Sequence, residues 1–344
     1  MKIYTIKDIA ALAGVGISTV SRVLNNRPDV SEETKKKVMD VVNLYNYTPN
    51  ANAKNLKQRN ADLVSIIVHG RQNSFLVDIA ERIIERGNQV GQNFLLDFID
   101  EAGDEFEAAR LHIAEKKVMG LIFLGSNITG RREEIEALRL PCVFTTVDTS
   151  SLSLPSVSSV SVDNRHSARM AVDHLLDMGH RRIAIFGGIR EMRDSIGERY
   201  QGVLESFDAH GIPFDESLYV QCSFRMDKAY RTAGEFLARN AQFTAVFAMS
   251  DTMAIGIIKA LSDHGLKVPD DISVIGFDGI ELSRFTLPTL TTIAQPADAL
   301  AGGSLELILR LLENPGDSEN VIVPSSLVKG GSVIRLEHAY PFPL

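Results

Sequence analysis

The sequence predicts a small all-α N-terminal head followed by two α/β lobes, each built on a doubly wound parallel sheet. Apolar residues recur at helical spacing through the first 60 residues. From Asp62 onward, short β-like runs alternate with amphipathic helical stretches, which is typical of parallel sheets with helices on both faces. Because this alternation runs through two series of similar size, we expect two lobes.

The helices of the head have clear start and stop signals. They are predicted at residues 6–13, 17–24, 31–45 and 51–57. Thr5 and Asp8 fit a capping box at the start of the first helix. Gly14-Val15-Gly16 interrupts the apolar pattern and separates the first two helices. Ser31 is placed to cap the third helix, and Asn50 to cap the fourth.

The strands and helices of the two lobes follow from the same alternation. The predicted strands are 64–68, 93–98, 120–125, 142–147 and 159–162, and then 182–187, 218–222, 245–249 and 272–277. The helices between them are predicted at 76–86, 104–117, 168–178, 198–210, 227–239 and 252–264. A helix over 296–312 and a single strand over 321–328 end the series. We expect the serine-rich segment 150–161 to be a crossover loop between the lobes, with a flexible linker as the alternative.

Charge is distributed unevenly along the 344-residue chain, whose net charge is −8. The first 59 residues carry ten Lys and Arg against five Asp and Glu. A basic head on an acidic body indicates an anionic partner for the head alone. That head has no His and little aromatic content, so contact with a duplex backbone is favoured over stacking on single-stranded bases.

Several broad classes are disfavoured by composition. No run of 18 apolar residues is present, so we expect no membrane span. The first residues lack the apolar stretch and small-residue cleavage site of a signal peptide, and we expect a cytoplasmic protein. Cys142 and Cys222 lie in apolar β-like runs, so we expect buried thiols in a reducing compartment.

The first two helices and their short glycine-containing turn are typical of a helix-turn-helix. The second helix of this motif enters the major groove of DNA and reads bases with its N-terminal residues. Here those residues are Ile17, Ser18, Thr19, Ser21 and Arg22. Arg22 can bond a guanine bidentately, while Ser18 and Ser21 can bond bases or phosphates. These residues alone leave open a plain three-helix bundle with a solvated polar surface.

Most of the head resembles the DNA-binding domain of the lactose-repressor (LacI/GalR) family. The matching runs are TIKDIA (5–10), AGV (13–15), STVSRVLN (18–25), VS (30–31) and YTPNA (47–51). The chain departs from the family at Gly16, where Ser or Thr is usual, and one phosphate or N-cap contact is weakened there. The resemblance implies contacts to DNA from Thr5, from the recognition helix and from Asn25.

The same resemblance implies a hinge helix over about 50–58 at the end of a head spanning 1–58. Paired hinge helices of the family enter the minor groove, where a leucine from each wedges into the central base step and kinks the duplex. Leu56 falls on that position, and Ala53 packs beside the groove. Asn50 and Lys57 complete the expected DNA contacts of this segment.

The body also resembles the family, whose core is similar to type I periplasmic sugar-binding proteins. The matching runs are VDN (162–164), GHRRI (179–183), RYQG (199–202), SDTMAIG (250–256), DISVIGFD (271–278) and LTTI (290–293). The resemblance implies two lobes joined by three crossovers, with a ligand in the cleft. The N-terminal lobe is expected over 62–160 plus about 294–320, and the C-terminal lobe over 161–293 plus about 321–337.

Candidate ligand residues lie where the predicted strands end, because open parallel sheets bind ligands at the carboxyl ends of their strands. They are Asn73, Phe75, Asp148, Arg199, Phe224, Ser250 and Asp278. Charged groups can bond sugar hydroxyls, and Phe rings can cover apolar sugar faces. Capping roles for the acids, core packing for the Phe rings and a surface ion pair for Arg199 stay open as alternatives. Asp251 is expected to be a helix N-cap.

No catalytic or metal motif stands out: the sequence has no Walker loop, no HExxH and no GxSxG. We therefore expect no enzyme, no metal and no cofactor. The sequence predicts a DNA-binding transcriptional regulator, most simply a repressor, acting as a homodimer on a pseudopalindromic double-stranded operator. A sugar or sugar derivative in the cleft is the expected effector. A regulator answering to a protein co-regulator and a sugar-binding transport protein are the alternatives, and the basic head counts against the latter.

Overall fold

The computed structural model describes residues 4–24, 30–45, 63–101, 103–190 and 194–336. The chain divides into two compact units, residues 1–61 and 62–344. The predicted hinge helix over 50–58 lies outside the described residues. Five of the expected DNA contacts also lie outside the described residues: Asn25, Asn50, Ala53, Leu56 and Lys57.

The first unit contains three described helices, α1 (Ile6–Ala13), α2 (Ile17–Leu24) and α3 (Glu32–Leu44). The predicted capping box is present, because Thr5 Oγ1 accepts from Asp8 N and Asp8 Oδ2 accepts from Thr5 N at 2.7 Å. Gly14 ends α1 in the left-handed conformation that glycine adopts without strain (φ 62°). The helices bury a shared apolar core of Ile9, Ala10, Ala13, Val20, Val23, Val38 and Val42.

The second unit contains two six-stranded sheets, one in each lobe. In spatial order, the first consists of β11 (Asn320–Ile322), β5 (Val157–Ser161), β4 (Cys142–Thr145), β3 (Gly120–Leu124), β1 (Leu63–His69) and β2 (Asn93–Ile99). All its strand pairs are parallel. Its helices are α4 (Ser74–Gln89), α5 (Glu105–Leu111), α6 (Arg132–Ala137) and the late α11 (Ala297–Glu313).

The second sheet repeats this order with one antiparallel edge strand. It consists of β12 (Ser326–Val328), β10 (Thr291–Ala294), β9 (Ser273–Asp278), β8 (Ala245–Ala248), β6 (Ile183–Gly187) and β7 (Tyr219–Gln221). Its helices are α7 (Asn164–Asp177), α8 (Ser195–Ala209), α9 (Met226–Leu237) and α10 (Asp251–Asp263). The predicted fold class, a helical head and a two-lobed core of doubly wound sheets, is confirmed.

Two predictions of local structure are wrong. The single strand over 321–328 is instead two strands, β11 and β12, which belong to different sheets. Pro324, which has no N–H for a ladder, lies between them. The segment 150–161 is not a crossover loop, since its second half forms β5 in the first sheet. One of its serines bonds inside the lobe, because Ser159 Oγ donates to Asn320 Oδ1 at 2.7 Å.

The chain crosses between the lobes three times within the described residues, after β5, after β10 and between β11 and β12. Of these strands, β11 and β5 form one edge of the first sheet, and β12 and β10 form the corresponding edge of the second. The opposite edges are formed by β2 and β7. The lobes are therefore tethered along one side only, and a cleft can open on the other.

Helix packing in the second lobe leaves no room for a side chain at Gly202. A β-carbon at Gly202 in α8 would lie 2.1 Å from the carbonyl oxygen of Arg165, whereas one at Gly234 in α9 would meet only His264 Cε1 at 3.5 Å. We expect Gly202→Ala to lower the free energy of unfolding by about 1–3 kcal/mol through overpacking. Gly234→Ala should raise it by up to about 1 kcal/mol through helix propensity. Urea titrations followed by circular dichroism would check both, and equal effects would contradict the packing.

Candidate DNA-reading helix and interlobe cleft

Helix α2 presents a polar face opposite its apolar contacts with the head's core. Val20 and Val23 are buried, whereas Ile17, Ser18 and Arg22 are exposed. The two remaining predicted residues, Thr19 and Ser21, are half-buried on the flanks of this face. The predicted base-reading residues thus begin a short helix with its outer side open to a partner. Thr5, exposed at the start of α1, is held by its capping bonds to Asp8.

The turn before α2 shows what the departure at Gly16 does. The Gly16 carbonyl accepts the backbone N–H groups of Thr19 and Val20 at 2.9 and 3.1 Å, so it begins the helix without a side chain. The first N–H groups of a helix attract anions when no side chain caps them.

A cavity of about 820 Å³ lies between the two lobes of the second unit. Its walls are formed by residues that follow strands of both sheets, as expected for parallel sheets. Five of the seven predicted ligand residues line it: Asn73, Phe75, Arg199, Phe224 and Asp278. The fold therefore brings together residues that are more than 200 positions apart in sequence.

Arg199, near the start of α8, is fixed in the cavity wall. Its Nε donates to Asn164 Oδ1 at 2.9 Å, and its Nη1 donates to the carbonyl of Met249 at 2.7 Å. The guanidinium carbon lies 3.7 Å from the centroid of the Phe277 ring. Burial lowers the pKa of Arg199 to about 10, so it stays charged at neutral pH. Since the side chain is only 5% exposed, a surface ion pair is ruled out.

Asp278 ends β9 with a strained backbone, because its φ of 113° is rare outside glycine. Its Oδ1 accepts from Gln295 Nε2 at 2.8 Å, and its carbonyl accepts the Gln295 N–H at 3.0 Å. Burial raises the pKa of Asp278 to about 7, although Arg199 opposes the shift. The carboxyl group is thus a proton donor or acceptor near neutral pH. Stored strain of this kind is typical of functional positions.

Two polar groups of the cavity wall were missed by sequence reasoning. Gln295 Oε1 and Ser126 Oγ are buried and have no hydrogen-bond partner among the described residues. Buried polar atoms normally have partners, so these two mark places where a bound molecule could supply them. Both residues follow strands of the sheets, β10 and β3. That position was the available signal, but it does not distinguish them from other loop residues.

Three residues of the cavity wall also stabilise the fold: Asn73, Phe75 and Phe224. Asn73 Oδ1 accepts the backbone N–H groups of Phe75 and Leu76 at 3.1 and 3.4 Å and so caps α4. Phe75 is buried in the core of the first lobe, and half-buried Phe224 packs against the core of the second. The open alternative of core packing therefore holds for both rings, which also face the cavity.

Asp148 does not line the cavity, and its predicted role is corrected. β4 ends at Thr145, and Thr146 (φ 74°) lines the cavity instead. The chain then turns outward, so Asp148 is exposed, and its carboxylate accepts from Ser150 N and Ser150 Oγ at 3.0 and 2.7 Å. It is a loop-stabilising acid, which was the alternative left open.

Ser250 also lies outside the cavity wall, which corrects a second prediction. Its Oγ accepts the Met253 N–H at 3.1 Å and caps α10, the role that was expected for Asp251. Asp251 is instead fully buried as the first residue of that helix. The helix start is therefore one residue earlier than predicted, and the cap faces the protein interior.

Asp251 fastens the loop that follows Asp278. Its Oδ2 accepts the backbone N–H groups of Gly279 and Ile280 at 2.7 and 2.9 Å, and its Oδ1 accepts from Thr292 Oγ1 at 2.6 Å. Burial, assisted by the charge of Asp278, raises the pKa of Asp251 to about 8. The Asp251 carboxyl group thus holds in place the loop that begins next to Asp278.

Gly279, which follows Asp278, has no room for a side chain. Its φ is 75°, and a β-carbon there would lie 2.6 Å from the β-carbon of Ala294. No side chain fits without moving β10.

Among the described residues, no group of three His, Cys, Asp or Glu side chains could hold a metal ion. The described helices include none that is long and apolar enough to cross a membrane.

A helix-turn-helix head and a two-lobed core with an interlobe cleft together define a class: DNA-binding regulators with a periplasmic-binding-protein-like domain. Comparisons with known proteins agree. The model of bacterial regulatory proteins of the lacI family matches residues 5–50, and that of a periplasmic binding protein-like domain matches residues 172–333. The chain belongs to the LacI family and is a DNA-binding transcriptional regulator.

The similarity extends over the whole chain. The sequence is 36% identical over 337 residues to the HTH-type transcriptional regulator MalR of Clostridium butyricum, covering 96% of this chain and 99% of that protein. It is 30% identical to the catabolite control protein A of Priestia megaterium, with 92% and 95% covered. The structure of the lac repressor dimer bound to operator and the anti-inducer ONPF matches with a TM-score of 0.77 at 27% identity, covering 97% and 100%.

The buried acids predict an unusual dependence of stability on pH. Burial raises the pKa of Asp278 to about 7, whereas an unfolded Asp titrates at about 3.9, so the folded chain binds more protons between these values. Its contribution to the free energy of unfolding therefore falls as pH rises from about 4 to 7. Asp278→Asn stays neutral, and we expect it to gain about 2 kcal/mol relative to wild type between pH 5 and 8.

Urea titrations at pH 5, 6, 7 and 8 measure this difference. Asp208→Asn, at an exposed position of α8, is the matched control and should run parallel to wild type. If Asp278→Asn also runs parallel to wild type, the carboxyl of Asp278 is not held in the protonated form.

Proposed function

We propose that this regulator is a repressor that binds a pseudopalindromic operator as a homodimer and responds to a small molecule in the interlobe cleft. The observation that carries the proposal is the fixed pair of Arg199 and Asp278 beside unpartnered Gln295 and Ser126 atoms in one cavity. Relatives support the repressor role: the PurR protein of Vibrio parahaemolyticus, 32% identical over 321 residues, is named a transcriptional repressor.

For the head, we propose that the start of α2 reads base edges in the major groove. The residues are Ile17, Ser18, Thr19, Ser21 and Arg22, with Thr5 at the DNA backbone. Support comes from the exposure of Ile17, Ser18 and Arg22 on one face of the helix and from the operator complex of the lac repressor. Asn25, Asn50, Ala53, Leu56 and Lys57 complete the proposed DNA contacts, the last four as a hinge helix in the minor groove.

The chemistry of the cleft favours a neutral sugar or sugar derivative. Arg199 and Asp278 offer a donor and an acceptor for hydroxyl groups, and two Phe rings supply apolar surface. A purely anionic ligand would be repelled by the ionised form of the buried Asp278 and would require that acid to be protonated. Three further cations line the wall, Arg71, Arg225 and Lys228. Arg71 is paired with Asp100 and Arg225 with Asp227. The CelR–cellobiose complex, at 27% identity and a TM-score of 0.70, supports a sugar.

A ligand in the cleft would regulate operator binding because it binds one arrangement of the lobes more tightly than another. A ligand that contacts both lobes favours the lobe arrangement in which all its contacts form, and a shift of about 1–3 kcal/mol in operator binding is typical of such coupling. Arg199 and Asp278 belong to the second lobe, whereas Asn73 and Ser126 belong to the first, so the cavity wall meets this requirement.

The DNA-reading assignment is tested by substituting Arg22. We expect Arg22→Ala to weaken binding to the preferred duplex by about 1–3 kcal/mol and to relax the preference at one base pair per half-site. Selection from a randomised duplex library, followed by gel-shift titration, measures both. The control Lys36→Ala, exposed on α3, should leave the selected sequence unchanged. An unchanged base preference in Arg22→Ala would remove α2 from the reading role.

The cleft assignment is tested with thermal shifts of wild type, Arg199→Lys, Asp278→Asn and Asp148→Asn. The ligand panel is glucose, ribose, maltose, cellobiose, lactose, glucuronate and glucose 6-phosphate. We expect a neutral sugar to stabilise wild type and the control Asp148→Asn alike, because Asp148 lies outside the cavity. Loss of a charged hydrogen bond should weaken binding to the other two roughly 10- to 150-fold. Equal stabilisation of all four proteins would contradict the assignment.

A further inference from the structure

A hydrogen bond joins the two lobes at the mouth of the cleft. The hydroxyl of Ser223 donates to Glu101 Oε2 at 2.7 Å and lies 2.9 Å from Glu101 Oε1. Glu101 follows β2 of the first sheet, and Ser223 follows β7 of the second. Both residues line the cavity. The contact is thus charge-assisted and bridges the lobes beside the proposed ligand.

This contact lies at the edge of the sheets that is opposite the chain crossings, where it can resist separation of the lobes most effectively. The three chain crossings lie with β5, β10, β11 and β12 at one edge of the sheets, whereas β2 and β7 form the opposite edges. A rotation of the lobes about the crossings moves the β2 and β7 edges farthest apart. A bond between residues that follow these two strands therefore resists opening more effectively than the same bond near the crossings.

Each partner is held within its own lobe. The Glu101 carbonyl lies 3.2 Å from His69 Nε2, and His69 Nδ1 lies 2.9 Å from Oε2 of the buried Glu105. On the other side, Ser223 Oγ accepts the backbone N–H of Arg225 at 3.3 Å. The backbone of Glu101 and the hydroxyl of Ser223 are therefore each held within their own lobe, so the bond between the two residues joins fixed segments of the two lobes.

We propose that Glu101 and Ser223 form a clasp that holds the lobes together at the free edge of the cleft, independently of any ligand. The clasp biases the protein toward the closed arrangement before a ligand contributes its own contacts. A molecule that enters the cleft either passes the clasp or breaks it. This inference does not depend on the ligand being a sugar.

Cys222 offers a direct measurement, because it lines the cavity next to Ser223 and is 7% exposed. The other cysteine, Cys142, is fully buried, and burial raises its pKa to about 12, so it stays unreactive. The rate at which the full chain reacts with 5,5′-dithiobis(2-nitrobenzoic acid) thus reports opening at the clasp. The variant Cys222→Ser supplies the background rate.

We expect Ser223→Ala to react roughly three- to tenfold faster than wild type, the range expected from losing one hydrogen bond. Glu101→Asp should show the same increase, since it keeps the charge that acts on the thiol but is one methylene too short. The double variant should react no faster than either single variant, because both remove one bond. Ser195→Ala, which removes another hydroxyl of the cavity wall, should react like wild type.

The proposal is overturned if Ser223→Ala and Glu101→Asp react at the wild-type rate, or if their effects multiply in the double variant. It is also overturned if Ser195→Ala accelerates the reaction as much as Ser223→Ala. A failure here leaves the sugar screen unaffected, because none of these substitutions touches Arg199 or Asp278.

Discussion

The cleft of this regulator depends on the buried acid Asp251, which lies behind the cavity wall and is not part of it. Asp251 accepts two backbone N–H groups of the loop after β9 and the hydroxyl of Thr292. Burying a carboxyl group is costly, and these three hydrogen bonds offset much of that cost. The same hydrogen bonds hold Asp278 at a φ of 113°, a strained backbone conformation that an unrestrained loop would not keep. The same loop carries Ile280, which packs into the apolar core of the first lobe, so one buried acid organises both the site and a contact between lobes.

The first lobe has a similar arrangement. Glu105, at the start of α5, is buried, and its two oxygens contact His69 Nδ1 and the backbone N–H of Asn127. His69 ends β1 and Asn127 follows β3, and both line the cavity. Each lobe thus places a buried carboxylate behind the loops that face the cleft. Fixed loops suit a site whose polar groups must match a ligand's hydroxyls in position as well as in type.

Local patterns in the sequence were sufficient for the fold and for part of the site. Capping signals at Thr5 and Ser31 located the head's helices, and strand ends located Arg199 and Asp278. Asp148 was misplaced because the chain turns at Thr146 through a φ of 74°, a turn that no local glycine announces. The split between β11 and β12 depends on pairing with different sheets, which only tertiary structure decides. Gln295 and Ser126 became visible as site residues only through the burial of atoms that lack partners.

The fixed guanidinium of Arg199 has a consequence for selectivity. An arginine side chain loses up to about 2 kcal/mol of rotamer entropy when it is immobilised, and here folding has already supplied that ordering. Its bonds to Asn164 and Met249 and its stacking on Phe277 leave it no freedom to follow a differently placed hydroxyl. For the sugar effector proposed above, a fixed donor and a fixed acceptor in one cavity wall would select the direction of hydroxyl groups as well as their presence. On that proposal we expect the cleft to distinguish epimers, molecules with the same composition and the same groups that differ only in the direction of one bond.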